Sequence, residues 1–462
     1  MAQKHESPQT GETATRQAAR FIAGLNSSSI PADVQEKTRS CILYGFGIGL
    51  LCLQQETART AEQAVAAIDG EAGRRGATSL FGGQRMSVSA SVFANAVLLH
   101  SRCQEDTSGT AHLGVVVLPV ALAMVEAGLA DAQDFVPGIV AGYEVAGTIE
   151  AAFGRDTMKA AHRASPLYGT FASAATAARM LRLSEERIDA ALANAAQMTG
   201  GTLQSIPEGT DEWRYQVGAA ARHGLLSALL AQAGSVSARQ AIEGAQGFVQ
   251  AFARRGLQAG ELDFSALRAW RLHEVTFKPY PVCAHNQTVA LIGAQVHNRY
   301  KPEQIAHLKL RISSYVVPGL LARGPFARVP DTLMSAAFCC ACACVEGTVS
   351  MAGLKKFNDA AVLGMMERIA VEPDPQVIYP AAIAELTLSD GTRAELFERR
   401  KFTDCSLGRD EVKAQLLRLG TEEAVPPRAV ALLERVAFSD DPGAGHELIA
   451  EAYSLARAAR HP

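Results

Sequence analysis

The chain has 462 residues, 48% of them apolar and 20% charged, and a formal net charge of −3. This is the balance of a globular protein with room for two or three domains. It has no basic block and no acidic tail, which speaks against nucleic acid as a partner, because a phosphate backbone is bound by clustered Lys and Arg.

No run approaches the ~18 apolar residues of a membrane helix. The apolar stretch 41–53 is short and holds three glycines, so it reads as a buried helix. Residues 1–15 are polar and lack the apolar centre of a secretory signal, so the cytoplasm is the expected location and no membrane partner is expected. Nine cysteines, an odd number in mostly Ala-rich surroundings, point to reduced thiols rather than a disulfide framework.

From residue 15 to about 247 the chain reads as helix after helix. Apolar residues recur at three- and four-residue spacing over 61–68, 89–100, 117–129, 135–153, 168–183, 186–199 and 217–233. Ser184 before Glu185-Glu186 is an N-cap signal, and many small residues suggest closely approaching helices. Near residue 269 the pattern changes. Segments 305–316, 368–371 and 382–388 read as strands, the last ending in the turn Ser389-Asp390-Gly391. Helices are expected between them at 286–298, 331–349 and 359–367, and again at 411–419, 428–438 and 447–460. The fold class expected is therefore mainly α: a helical block, an α+β insert from near residue 269 and a second helical block from 409, which suggests a discontinuous helical domain with the insert emerging from its middle.

The richest chemistry lies in His100-Ser-Arg-Cys-Gln-Glu-Asp-Thr107 and His112, between two apolar helical runs. Two imidazoles, two carboxylates, a thiol and a hydroxyl fall within thirteen residues. Burial and close neighbours there move pKa values toward neutrality, which suits an enzyme. His100, Cys103, Glu105, Asp106 and His112 also admit a zinc or manganese site, although their spacing fits no standard motif. Cys339-Cys-Ala-Cys-Ala-Cys344 contains a ligand-like Cys-x-x-Cys, yet it has no second pair and sits among alanines, which favours buried apolar thiols.

Several motifs, in order, resemble the MmgE/PrpD family over nearly the whole chain. They are Cys103-Gln-Glu-Asp-Thr107 with His112, Gly142-Tyr-Glu-Val145, His162 ahead of Tyr168-Gly-Thr-Phe, Gly218-Ala-Ala-Ala-Arg-His-Gly224, Glu243-Gly-Ala-Gln-Gly247 and Lys278-Pro-Tyr-Pro-Val-Cys283. The resemblance implies a large all-helical domain, 1–268 and 405–462, with a smaller inserted α+β lid, 269–404, a homodimer, a site in the cleft between domains, and no cofactor. It implies a lyase acting on a di- or tricarboxylate: a 2-methylcitrate dehydratase-like reaction first, then a cis-aconitate decarboxylase-like or an iminodisuccinate epimerase-like one. It further implies His112, His162 and Lys278 as the proton-transfer set around one anionic guest. Thr107 serves as a hydroxyl donor, and Asp106 either orients an imidazole or caps a helix. Two positions depart from the family pattern. Cys103 stands where the family has its first aspartate. Trp213 stands where it has a lysine, and Arg214 beside it is expected to bind a carboxylate. Tyr280 is expected to contact substrate as well. A catalytically inactive carboxylate-binding relative is the reading of another class, motivated by those two departures.

Overall fold

Small and apolar residues at helical spacing fold the first half of the chain as the periodicity requires. The structure, a computed structural model, describes residues 12–69, 75–80, 82–264, 270–398, 406–439, 451, 454 and 455. Helices run over Ala14–Gly24, Ala32–Leu51, Glu56–Asp69, Val88–His100, Gly114–Glu126, Phe135–Lys159, Ala164–Met180, Glu185–Met198 and Glu212–Gln232. Ser184 stands at the N-cap of Glu185–Met198, with two glutamates in the first turn. Ala164–Met180 and Glu212–Gln232 pack so closely that a Cβ at Gly224 would meet the Ser173 side chain and the Thr170 carbonyl. Backbones approach here because there is no side chain to hold them apart.

Late in the chain Arg409–Glu422 and Pro427–Phe438 return to this body and pack on Ala32–Leu51, adding Val412, Leu416, Val430 and Leu433 to its core. The expected junctions at 268/269 and 404/405, the helix expected over 447–460 and Cys405 lie largely outside the described residues.

A second core forms over residues 282–396. Its sheet has the order Ile369–Asp374, Ile305–Ser313, Ala382–Leu388, Arg393–Glu398; the first pair is parallel and the other two are antiparallel. Asn286–Arg299 and Ala336–Glu346 pack against each other and against these strands. The architecture is thus mainly helical, with a smaller α+β part.

Three local readings change. The helix expected over 331–349 is two helices, Val329–Met334 and Ala336–Glu346, split at Ser335, whose hydroxyl accepts the Phe338 N–H at 3.1 Å as the second helix's cap. Propensity over an Ala- and Cys-rich run gave no sign of that break. The strand expected to reach residue 316 ends at Ser313. Beyond the Asp390-Gly391 turn the chain pairs back as Arg393–Glu398, a strand too charged to stand out from its pattern. Cys339, Cys340, Cys342 and Cys344 are all buried in the second core.

A two-residue antiparallel ladder, Asp106 opposite Phe277 and Thr107 opposite Thr276, holds the segment that leads into the sheet part against the body's core. Tyr44 of helix Ala32–Leu51 secures both sides, since its hydroxyl lies against the carbonyls of Gln104 and Lys278. Lys278 follows this ladder directly. That is how a residue so far along the chain reaches the loop after His100. No helix among the described residues is long and apolar enough to cross a membrane.

Candidate active site

Helix Val88–His100 ends at the buried His100, and the chain then turns through Cys103, a non-glycine residue at φ 55°. That left-handed turn carries Glu105 inward, and the ladder brings Lys278 to meet it. The Lys278 Nζ donates to Glu105 Oε1 at 2.5 Å and to the Cys103 carbonyl at 3.2 Å. His112 Nε2 lies 3.4 Å from the same Oε1, and His100 Nδ1 lies 3.1 Å from Oε2, off the line of a full hydrogen bond. The Lys278 ammonium is the cation bound directly to this carboxylate. Among the described residues no three His, Cys, Asp or Glu are placed to hold a metal ion.

Protonation follows from these neighbours. Burial pushes Glu105 up, but Lys278, His100 and His112 outweigh it and hold the carboxyl well below its usual range. Burial pulls Lys278 down, while Cys103 and Glu105 raise it to a net value above an ordinary lysine, so it is an ammonium. His112 is held well below 6.5, first by burial and then by Lys278. Its Nδ1 lies 2.7 Å from the Asp106 carbonyl, which can only accept, so Nδ1 carries the proton and Nε2 carries the lone pair. A neutral base with a lone pair on Nε2 therefore lies beside the carboxylate oxygen that the Lys278 ammonium binds.

Of the residues expected from sequence, Lys278 and His112 meet beside Glu105, and Thr107 shares with Lys278 a cavity that His112 does not line. Thr107 and Lys278 line a cavity of about 30 Å³ with Phe277, Gln287 and Tyr379, large enough as it stands for a water or two. Asp106 takes the capping role: Oδ1 accepts the N–H of Gly114, the first residue of Gly114–Glu126, and Tyr143 donates to Oδ2. A side chain at 114 would displace both partners. Burial raises Asp106 to about 6. Cys103 lies with its sulfur 3.9 Å from Lys278 Nζ, and burial pushes the thiol up to about 12, so it is neutral.

Three expected residues stand elsewhere. His162 packs its ring edge-on against Phe252, with centroids 5.0 Å apart, and it is the next residue, Arg163, that turns toward His100. Arg214 is buried, donating to Asp211 at 2.7 Å and to the Ser101 carbonyl at 3.1 Å, and it lies over the Trp213 ring. Its charge thus holds the loop after His100. Tyr280 lines a separate open depression of about 520 Å³ with Gln415 and Arg418. The residue that sequence reasoning passed over is Arg163, while His100 and Glu105 enter it only within the cluster and as candidate metal ligands, without a place in the proton-transfer set. Glu105 and His100 belonged to the conspicuous cluster but gave no sign of which carboxylate pointed inward.

The chain matches the model of the MmgE/PrpD N-terminal domain over residues 16–258 and that of the MmgE/PrpD C-terminal domain over 280–417. It is 28% identical over 244 residues to the cis-aconitate decarboxylase-like protein oryM of Aspergillus oryzae, half of each chain. It is 28% identical over 306 residues to the cis-aconitate decarboxylase of Homo sapiens, covering 63% of this chain and 61% of that one. With the cis-aconitate decarboxylase of Mus musculus it shares 25% identity over 413 residues, 82% of this chain and 81% of that one. The first of these matches spans about half the relative's length.

Proposed function

The chain belongs to the MmgE/PrpD family, and from that premise we propose that it is a lyase that moves a proton beside a carboxylate of a di- or tricarboxylic acid. The observation that carries this reading is the Lys278 ammonium bound to Glu105 Oε1 at 2.5 Å with the neutral His112 Nε2 beside it, 3.4 Å from the same oxygen. A buried ammonium at the wall of a cavity offsets charge on an anion far better than it would in water.

Two reactions use such a pair. In decarboxylation the bond to a carboxylate breaks, carbon dioxide leaves, and the electron pair left on carbon takes up a proton. Lys278 is the group with a proton to give. The names of the relatives favour this reaction, with a cis-aconitate-like acid as substrate. In dehydration a base first removes a proton beside the carboxylate, and hydroxide leaves as water with a proton from an acid. The neutral His112 favours this second reading, with a 2-methylcitrate-like acid as substrate. Epimerisation needs the same removal and return of a proton.

The test is a panel of such acids incubated in heavy water and followed by proton NMR. Loss of carbon dioxide, loss of water and exchange without net change give separate signatures. Lys278→Gln and His112→Ala are each expected to reduce the dominant reaction by about 10²–10⁴-fold. Absence of turnover and of exchange for every acid in the wild type overturns the reading.

A further inference from the structure

Arg163 enters neither the cavity nor the proton-transfer pair, yet it is one of the best-placed charges in the protein. It precedes helix Ala164–Met180, with its N–H bound to the Gly201 carbonyl at 3.1 Å. Its guanidinium is buried, and it donates from Nη1 to the Trp213 carbonyl at 2.6 Å and from Nη2 to His100 Nε2 at 2.6 Å. Trp213 closes the other side, edge-on to the His100 ring at 4.7 Å. A guanidinium has donors only. His100 Nε2 therefore carries a lone pair, and the ring's single proton sits on Nδ1, facing Glu105 Oε2 at 3.1 Å.

We propose that Arg163 is a positioning residue: by donating to His100 Nε2 it fixes the imidazole as the Nδ1–H tautomer, so that His100 turns its one N–H toward Glu105 Oε2 and the opposite carboxylate oxygen is held by Lys278, beside His112. The activity arm of this inference rests on the function proposed above; the tautomer arm stands on the geometry alone.

The charged and titratable groups facing His100 are Glu105, Arg163, Lys278 and the His112 ring, whose centroid is 5.5 Å away. Burial first, then Arg163 and Lys278, disfavour a second proton on His100, while Glu105 favours one. Remove the guanidinium and Nε2 loses its donor. The ring then has two other states. As the Nε2–H tautomer it turns a lone pair against Glu105 Oε2. As imidazolium it competes with Lys278 for the carboxylate. Either state loosens the carboxylate that anchors Lys278 beside His112, without altering what lines the cavity.

The experiment uses the full chain labelled with ¹⁵N-histidine, with His100 assigned by its loss in His100→Gln. In the wild type the His100 Nδ1 resonance is expected to be of the protonated type and Nε2 of the unprotonated type from roughly pH 5.5 to 8, a range in which a free imidazole titrates. Arg163→Lys keeps a donor and keeps that pattern; Arg163→Met gives mixed tautomers or a titration within the range. In turnover, Arg163→Met is expected to lower kcat about 10–100-fold with KM within about 2-fold, and to move the acid limb of the pH profile upward. Arg163→Lys restores most of kcat. A merely structural arginine would scale kcat with the folded fraction and leave the limb where it was. A wild-type His100 protonated on Nε2 overturns the proposal, and so does an Arg163→Met variant with unchanged tautomer and acid limb. If Arg163→Met does not fold, the wild-type and Arg163→Lys spectra decide. If no acid is turned over, the function proposed above fails while the spectra still test this inference.

Discussion

The bundle around Ala164–Met180 and Glu212–Gln232 and the seam around Glu105 are equally buried and built on opposite principles. In the bundle, contact is between small side chains and backbone, and Gly224 sits against the Thr170 carbonyl. In the seam, Glu105, Lys278, Arg163, His100 and Asp106 are all inside, held by mutual charge and directed hydrogen bonds. The bundle derives stability from shape. In the seam, polar groups are stable only as a complete set, because a buried charge without its partner costs more than the pair contributes.

The sharpest way to break this contrast is to halve the seam. Lys278→Met leaves the Glu105 carboxylate buried without its counter-charge, and denaturant unfolding is expected to show a loss of about 3–5 kcal/mol. Adding Glu105→Leu is expected to recover most of that stability and none of the activity. A double variant as unstable as the single one would mean that packing, not charge, holds the seam. The next effect is one of pH. His100 has its pKa lowered to about 4 by burial, against 6.5 for the group in an open chain. Between these values the unfolded chain binds a proton that the folded protein refuses, so stability falls as pH drops from 6.5 toward 4. For one such group the loss is roughly 3 kcal/mol. Asp106, raised to about 6, works in the opposite direction. The measurement is therefore the difference between wild type and His100→Gln, in which the His100 part of the acid loss is absent. The smallest expected effect comes from the bundle. Gly224→Val is expected to cost about 1–3 kcal/mol by overpacking, with activity per folded molecule unchanged; a selective loss of activity would show that bundle and seam are coupled.

How much of this was legible in the sequence depends on what kind of information each part uses. Helices of the body announce themselves because apolar spacing repeats over many turns, and the Asp390-Gly391 turn marks a hairpin by its residue types. The seam is written differently. The ladder joining Asp106–Thr107 to Thr276–Phe277 is two residues long, too short for any alternation to register. His162 and Arg163 are neighbours at a junction where Ala161 takes φ 65°, so no periodicity says which of them faces inward. Lys278 and His112 were recoverable because a family motif marks them. Glu105 was not singled out over Asp106 because both are carboxylates in one loop. What separates them is that Asp106 meets a helix N-terminus and Tyr143, while Glu105 meets a lysine from far along the chain.

The row of sulfurs on Ala336–Glu346 has a practical consequence. Cys339, Cys340, Cys342 and Cys344 are shut inside the sheet part's core, with burial raising the first and third of them above an ordinary thiol. An alkylating reagent should reach them only when that core opens, at a rate set by the free energy of opening. They thus serve as a built-in clock for breathing of one half of the molecule, read by mass spectrometry.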